Sequence, residues 1–243
     1  PAGATVAVLG GDGTLNEVIN GLAGKDCLIL LLPCGSGNDL ARGLRIVRDP
    51  LALLATTAWR EIGLDLGEVA GRLFANNAGV GLDGEVCRLI QNCDESFRGQ
   101  LGYVRAFLSC ALNLRATPIH ITYDGIEQRY NGLLLTFANG QYYGRGMKIA
   151  PDANPCDGLL DVCAVLELDR IGLLRAFPRV YTGSHIRHPS FRLWRAHTVT
   201  LYGARPLSIH TDGEVVGRLS TEPSKPTVVR IAARRQRFLV PQA

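Results

Sequence analysis

The sequence predicts an α/β domain followed by a larger, β-rich second domain. Three observations carry this reading. Two apolar runs each end in a glycine turn and lead straight into a helical pattern. The character of the chain changes near residue 62. From His197 onward, short strand-like runs alternate with turns.

Thr5–Leu9 is a β-branched and aliphatic strand, Leu15–Leu22 a helix stopped at Gly24, and Cys27–Leu32 a second strand. After the turn Pro33–Gly37 a helix restarts over Asn38–Leu44 with Asn38 as its cap, and Leu51–Trp59 continues helically. Strand–turn–helix repeats with fully apolar strands imply a parallel, doubly wound sheet. Ile62–Val69 and Leu73–Ala78 then flank a hairpin signal at Ala70-Gly71-Arg72. Helical stretches follow near Glu85–Asn92 and Gln100–Leu114. Ile119–Tyr123 and Leu133–Ala138 form a second hairpin region around Asp124-Gly125, and Leu159–Leu166 is a strand. Asp169 caps a helix to about Tyr181, and short strands close the chain at Thr198–Leu201, Pro206–Thr211, Thr227–Ile231 and Phe238–Val240. The domains are expected at 1–62 and 63–243, with the last strand returning to the first domain.

Composition narrows the function class without fixing it. The 243 residues are 47% hydrophobic and 20% charged, with a net charge of +4, an ordinary globular balance that suits anionic ligands or surfaces. Seven scattered cysteines without a CxxC pair give neither a zinc site nor a disulfide framework, so a reducing, cytoplasmic setting is expected. No apolar run approaches a spanning helix. No nucleic-acid-binding motif is present. His185, Arg187, His188, Arg192, Trp194 and Arg195 form a basic run that reads as a solvated face, or as a surface for anionic lipid.

The chemistry concentrates in two turns. Gly10-Gly11-Asp12-Gly13-Thr14 follows a strand and opens a helix, where unpaired N–H groups and the helix dipole favour a phosphate. Glycines permit close approach of the ligand. The turn has neither the spacing nor the lysine of a P-loop and lacks the third glycine of GxGxxG. Asp12 would repel a phosphate unless a divalent cation lies between them, which points to a magnesium nucleotide. The alternative is a structural turn with a capping Asp. About twenty residues on, Leu32-Pro33-Cys34-Gly35-Ser36-Gly37-Asn38-Asp39 makes a second such turn, and in a right-handed βαβ unit both face one crevice. Asn38 and Asp39 can serve there as helix caps or, equally, as ligands of the bound group. Late in the chain, Asp212 and Glu214 stand two apart on a strand-like segment and point to one face, unless Asp212-Gly213 is a hairpin turn. On one face the two would repel unless a cation intervened or one were protonated.

GGDGTLNEVINGL followed by LPCGSGNDLAR resembles the diacylglycerol kinase catalytic domain family of lipid kinases, which includes sphingosine and ceramide kinases. The likeness continues through FANNAGVGLDGEV (Phe74–Val86), NGQYYGRGMKIAPDANPCDGLLDV (Asn139–Val162) and HTDGEVVG (His210–Gly217). It spans nearly the whole chain in order. NAD kinases share the GGDGT turn alone.

The resemblance implies a two-domain fold of the NAD-kinase and diacylglycerol-kinase type, with the nucleotide in the interdomain cleft. It implies ATP and magnesium as cofactors, with Gly10, Gly11, Asp12, Gly13, Thr14, Leu15 and Asn16 around ATP, and Ser36 as a hydroxyl donor where the family usually has Thr. It implies catalytic roles for Glu214 as general base, and for Asp212 and Asp12. Asn154, Asp157 and Leu159 match a structural magnesium site, with Cys156 in place of one acid of an acidic pair. Asp83 matches an acceptor-contacting Asp, or is a helix N-cap. The partner implied is a lipid substrate at a membrane surface, met by a peripherally associated protein, and a homodimer is compatible. Diacylglycerol is the leading acceptor. A sphingoid base or other lipid alcohol is the alternative within the same chemistry, and a catalytically weak lipid- or nucleotide-binding module the alternative outside it. The family begins with a further strand, glycine turn and helix ahead of GGDGT, where this sequence has nine residues, so that segment is expected to be missing.

Overall fold

The computed structural model describes residues 3–92, 99–113 and 115–242. Cys93 and the expected helix end at Leu114 lie outside the described residues. In chain order the first elements are β1 (Ala4–Gly10), α1 (Asp12–Gly21), β2 (Cys27–Pro33), α2 (Asp39–Gly43), α3 (Pro50–Leu54) and β3 (Trp59–Leu64). Next come β4 (Gly67–Val69), β5 (Arg72–Phe74), β6 (Asn77–Gly81), α4 (Leu82–Asn92), α5 (Gly99–Asn113), β7 (Thr117–Tyr123) and β8 (Ile126–Ala138). The chain continues through β9 (Leu160–Leu166), α6 (Arg170–Thr182), β10 (Phe191–Ala196), β11 (Thr198–Gly203) and β12 (Ser208–Thr211). It closes with β13 (Glu214–Arg218), β14 (Thr227–Ile231) and β15 (Gln236–Pro241).

Among the described residues these strands form two sheets. The first has the order β1-β2-β15-β3, with β1, β2 and β15 mutually parallel and β3 antiparallel to β15. Its core includes Ile29, Leu64 and Phe238, all fully buried, with Leu15 and Ile19 of α1 laid on it one helical turn apart. Each such side chain contributes roughly 1.5–3 kcal/mol by leaving water. The second sheet is antiparallel and runs β13-β12-β6-β8-β7-β11-β14-β4-β5, with β9 between β8 and β10. β8 is shared: its first half pairs with β7 and its second half with β6 and β9. The chain leaves the first sheet after Leu64 and enters the second at Gly67.

Several expectations need correction. The helix expected over 51–59 ends at Leu54, because the β-branched pair Thr56-Thr57 follows and Trp59 joins β3. Asn38 does not cap α2 with its side chain. It sits in the left-handed region (φ 53°) and turns back to Gly35, accepting from the Gly35 N–H at 3.0 Å and donating to Gly35 O at 2.7 Å. The basic run 185–195 is not a uniform solvated face. His185 is buried, and Phe191–Ala196 is strand β10, paired to β9. Asp212 and Glu214 do not share one strand face, because Asp212 (φ 46°) and Gly213 (φ 95°) are the two turn residues between β12 and β13.

The hairpin at Ala70-Gly71 forms between β4 and β5, and that at Asp124-Gly125 between β7 and β8. Asp169 caps α6 by accepting the Gly172 N–H at 2.7 Å. The described cysteines are free thiols.

Candidate active site

The two glycine turns meet. β1 ends at Gly10, and Gly11 occupies the N-cap of α1 without any side-chain cap, so the first N–H groups of α1 stay available. The Cys34 N–H donates to Gly10 O at 3.0 Å. A Cβ on Gly35 would overlap Gly11 Cα, so only glycine lets the second turn approach the first this closely. Both turns line a cleft of about 390 Å³, together with Asn76, Asn77, the Asp212-Gly213 turn and the side chains Cys87, Ile90, Tyr103 and Tyr143. One end is therefore polar and rich in backbone amides, and the other is apolar and aromatic.

Asp12 joins the turns. Its Oδ1 accepts the N–H groups of Asp39 at 2.9 Å and Leu40 at 3.3 Å, so it caps α2 from across the cleft. Asp39 is buried, and its Oδ2 accepts the Arg145 N–H at 2.7 Å. The other oxygen has no hydrogen-bond partner among the described residues; Arg42 Nε stands 3.7 Å from it. Burial first, and then the neighbouring Asp12 carboxylate, raise the Asp39 pKa to about 6. Two adjacent carboxylates with an unpaired buried oxygen are a donor set that suits a hard divalent cation.

The remaining residues implied to surround ATP divide by burial. Gly13, Thr14 and Ser36 are exposed along the cleft. Leu15 packs into the core of the first sheet. Asn16 is fully buried and donates from Nδ2 to Asp212 Oδ2 at 2.8 Å and to Leu73 O at 3.1 Å. It ties α1 to the second sheet.

Asp212 is a clamp. Its carboxylate accepts from the N–H groups of Ala75 (2.8 Å), Asn76 (3.0 Å) and Asn77 (2.8 Å) as well as from Asn16. Burial raises its pKa, against these four donors, which favour the ionised form. A carboxylate so fully engaged has no lone pair directed at a substrate proton. Glu214 is different: part-exposed, it holds only Arg72 among the described residues, Nη2 to Oε2 at 3.4 Å. That pair spans the two ends of the second sheet, β5 and β13. Glu214 stands next to the cleft wall formed by Asp212 and Gly213 and is not itself part of the lining.

Asp83 is buried rather than open to the cleft. Its Oδ1 accepts the Gly84 N–H at 2.8 Å, its Oδ2 accepts from Thr136 Oγ1 at 3.1 Å, and His210 Nε2 lies 3.2 Å from Oδ2 in an ion-pair contact that is not aligned as a hydrogen bond. His210 lines the cleft, and the Gly213 N–H approaches its Nδ1 at 3.4 Å. Asp83 thus touches the cleft through His210. A Cβ on Gly79 would collide with the Asp83 carboxylate and crowd His210, so this cluster requires glycine there.

The loop holding Asn154, Asp157 and Leu159 is fastened at the passage between the sheets. Asp65 accepts the Gly158 N–H at 2.7 Å and pairs with Arg235 at 2.6 Å, while Arg235 also donates to Cys156 O at 2.9 Å. Asn154 and Asp157 are exposed, with the Asp157 N–H on Asn154 O at 3.4 Å and Asp157 Oδ1 accepting from the Leu159 N–H at 3.1 Å. The oxygen-only donors match magnesium in kind. Among the described residues no three His, Cys, Asp or Glu side chains cluster as a metal site.

Sequence reasoning left Asp39 open between a helix cap and a ligand role, and missed Asn77, Arg72 and Arg145. Asn77 is buried on the cleft wall with its amide nitrogen unpaired among the described residues. The one signal for Arg145 was its place between two glycines.

The family models agree with this two-part layout. Residues 2–69 match the diacylglycerol kinase catalytic domain, and residues 76–233 match the YegS C-terminal NAD kinase beta sandwich-like domain. A diacylglycerol kinase of Bacillus subtilis is 31% identical over 223 residues, which cover 89% of this chain and 73% of the relative. The chain belongs to the diacylglycerol kinase family. A Mycobacterium tuberculosis diacylglycerol kinase is also 31% identical, over 89% of this chain and 72% of its own length. The fold of the family is present too. A Bacillus anthracis diacylglycerol kinase crystal structure aligns with a TM-score of 0.68 at 20% identity, over 97% of this chain and 76% of that one. A second Bacillus anthracis chain aligns with a TM-score of 0.75 at 23% identity, over 97% and 76%. Among the described residues no helix is long and apolar enough to cross a membrane.

Proposed function

We propose that this chain transfers the γ-phosphoryl group of ATP to a lipid hydroxyl, with diacylglycerol as the leading acceptor and phosphatidic acid as product. One observation carries the reading: a single cleft joins two glycine turns to an apolar wall of Cys87, Ile90, Tyr103 and Tyr143. Tyr143 also borders a separate, small apolar cavity with Leu82, Phe107 and Phe177.

The nucleotide would lie against Gly10, Gly11, Gly13 and Thr14, with Ser36 donating its hydroxyl. Asp12 and Asp39 would hold magnesium, which supplies charge neutralisation for the phosphates. Asn154, Asp157 and Leu159 would hold a second, structural ion. Asn77 Nδ2 is free to donate to a ligand oxygen. The acceptor oxygen forms its bond to the γ-phosphorus as the bond to the ADP oxygen breaks, and the hydroxyl proton passes to a carboxylate. Glu214 is the candidate, since Asp212 is saturated, Asp83 is buried, and Glu214 holds one long ion pair it can leave. The lipid would be met at a membrane surface.

A panel of diacylglycerol, sphingosine, ceramide and monoacylglycerol in mixed micelles, assayed with γ-labelled ATP, tests the reading. Labelling of diacylglycerol above the others is expected. Labelling of sphingosine alone would move the substrate class, and labelling of none would sink the kinase reading.

A further inference from the structure

The glycine turns contain no lysine, and the cleft they line carries the carboxylates of Asp12, Asp39 and Asp212. Beyond what magnesium offsets, a triphosphate entering that field is stabilised by a side-chain cation. The neighbouring basic side chains stand outside the cleft lining. Arg42 and Lys148 lie over the Tyr142 ring, with Arg42 Nε 3.7 Å from Asp39 Oδ1, Arg48 donates to Gly37 O at 2.8 Å, and Arg72 pairs with Glu214. Arg145 is the one lysine or arginine lining the cleft among the described residues, and its guanidinium makes no hydrogen bond or ion pair among them.

Its placement is built, not incidental. Reciprocal 2.9 Å hydrogen bonds between the backbones of Tyr143 and Met147 close a tight loop with Arg145 at its tip. Arg145 has φ 72°, a left-handed conformation that a side chain-bearing residue rarely adopts, between Gly144 at 55° and Gly146 at 102°. Its N–H is held by Asp39 Oδ2 at 2.7 Å. The stem then runs along the second glycine turn: a Cβ on Gly37 would lie 3.7 Å from Arg145 Cγ and 2.7 Å from Asp12 Oδ2. A strained non-glycine residue at a ligand cleft, with an unpaired guanidinium, is the pattern of a functional constraint.

We propose that Arg145 clamps the β- and γ-phosphates of the nucleotide, and so the phosphoryl group in transfer. This rests on the kinase reading above. A planar guanidinium can grip two phosphate oxygens at once and offsets charge on the equatorial oxygens in the transition state.

The test uses R145G and R145K. Glycine suits φ 72°, so R145G should melt at or above the wild-type temperature, which separates loss of the cation from loss of fold. Calorimetry in magnesium should show R145G losing about 10-fold in affinity for a non-hydrolysable ATP analogue while AMP affinity stays within twofold. Turnover should fall roughly 100-fold in R145G and less in R145K. Wild-type analogue affinity and turnover in R145G would overturn the clamp and leave the kinase reading intact. If the wild type labels no lipid yet R145G still loses the analogue, the kinase reading fails and the clamp stands. A wild type that binds the analogue no better than AMP would overturn the clamp as well.

Discussion

Asp12 reaches across the cleft to a helix 27 residues further along the chain, its Oδ1 accepting the Asp39 N–H at 2.9 Å. The residue that opens the first glycine helix therefore caps the second. Its two roles, one in the fold and one toward the ligand, can be separated by substitution.

D12N keeps an oxygen for the Asp39 and Leu40 N–H groups, whereas D12A removes it. D12A should lose about 1 kcal/mol, a fall of roughly 2–4 °C in melting temperature for a chain of this size. D12N should stay near wild type in stability, and both variants should lose turnover. Thermal melts beside the lipid assay decide this. A D12N enzyme with full turnover would remove Asp12 from the nucleotide site.

Asp212 and Glu214 should behave as opposites. D212A strands three backbone N–H groups and the Asn16 amide, at about 1–3 kcal/mol for each group left buried without a partner. E214Q disturbs a part-exposed pair worth about 0–1 kcal/mol. Chemical denaturation should therefore place D212A well below wild type and E214Q close to it. Similar losses in both would contradict the division of labour between clamp and base.

Much of this architecture was legible because local chemistry and tertiary context agree. The apolar runs ending at Gly10 and Pro33 became adjacent parallel strands, and the Ala70-Gly71 and Asp124-Gly125 turns closed hairpins. What escaped depended on contacts between distant residues. Nothing near Asp212 in sequence announces that its four donors come from residues 16 and 75–77. Strand β10 hid in a basic run because Arg192 and Arg195 are themselves strand residues in register with β9. Asn38 looked like a cap from composition, yet its φ of 53° turns its side chain back to Gly35. Arg145 escaped because a cation's value depends on which other charges share its cleft.

Contact between the turns gives a third test. In G35A the new methyl would overlap Gly11 Cα, so the two turns must part. Nucleotide affinity should fall by at least about 10-fold, the scale of one lost charge-assisted hydrogen bond. The control G21A, at the far end of α1 and outside the cleft, where a Cβ meets nothing within 4 Å, should bind nearly as wild type. Equal binding by both variants would show that the approach of the turns is unimportant.

His185 supplies the pH dependence. It is buried with Nε2 3.0 Å from Ile149 O, and since a carbonyl only accepts, Nε2 carries the proton of a neutral ring. Burial lowers its pKa below the ordinary 6.5. The folded state then binds this proton less readily than the unfolded chain. The stability associated with the neutral ring is complete above about pH 6.5 and drains away as pH falls toward the depressed folded value. H185Q keeps a donor and cannot titrate. Its melting temperature relative to wild type should rise as pH drops from 7 to 5, and a difference that stays constant with pH would refute the assignment.

The most direct measurement is transfer of label from γ-labelled ATP to diacylglycerol in anionic vesicles, run on wild type and E214Q with nucleotide affinity measured in parallel. The account predicts labelled phosphatidic acid from the wild type. In E214Q it predicts a rate at least about 100-fold lower, the scale of a lost general base, with nucleotide affinity essentially unchanged. Labelled lipid formed equally fast by E214Q, or none formed by a wild type that binds ATP, would contradict it.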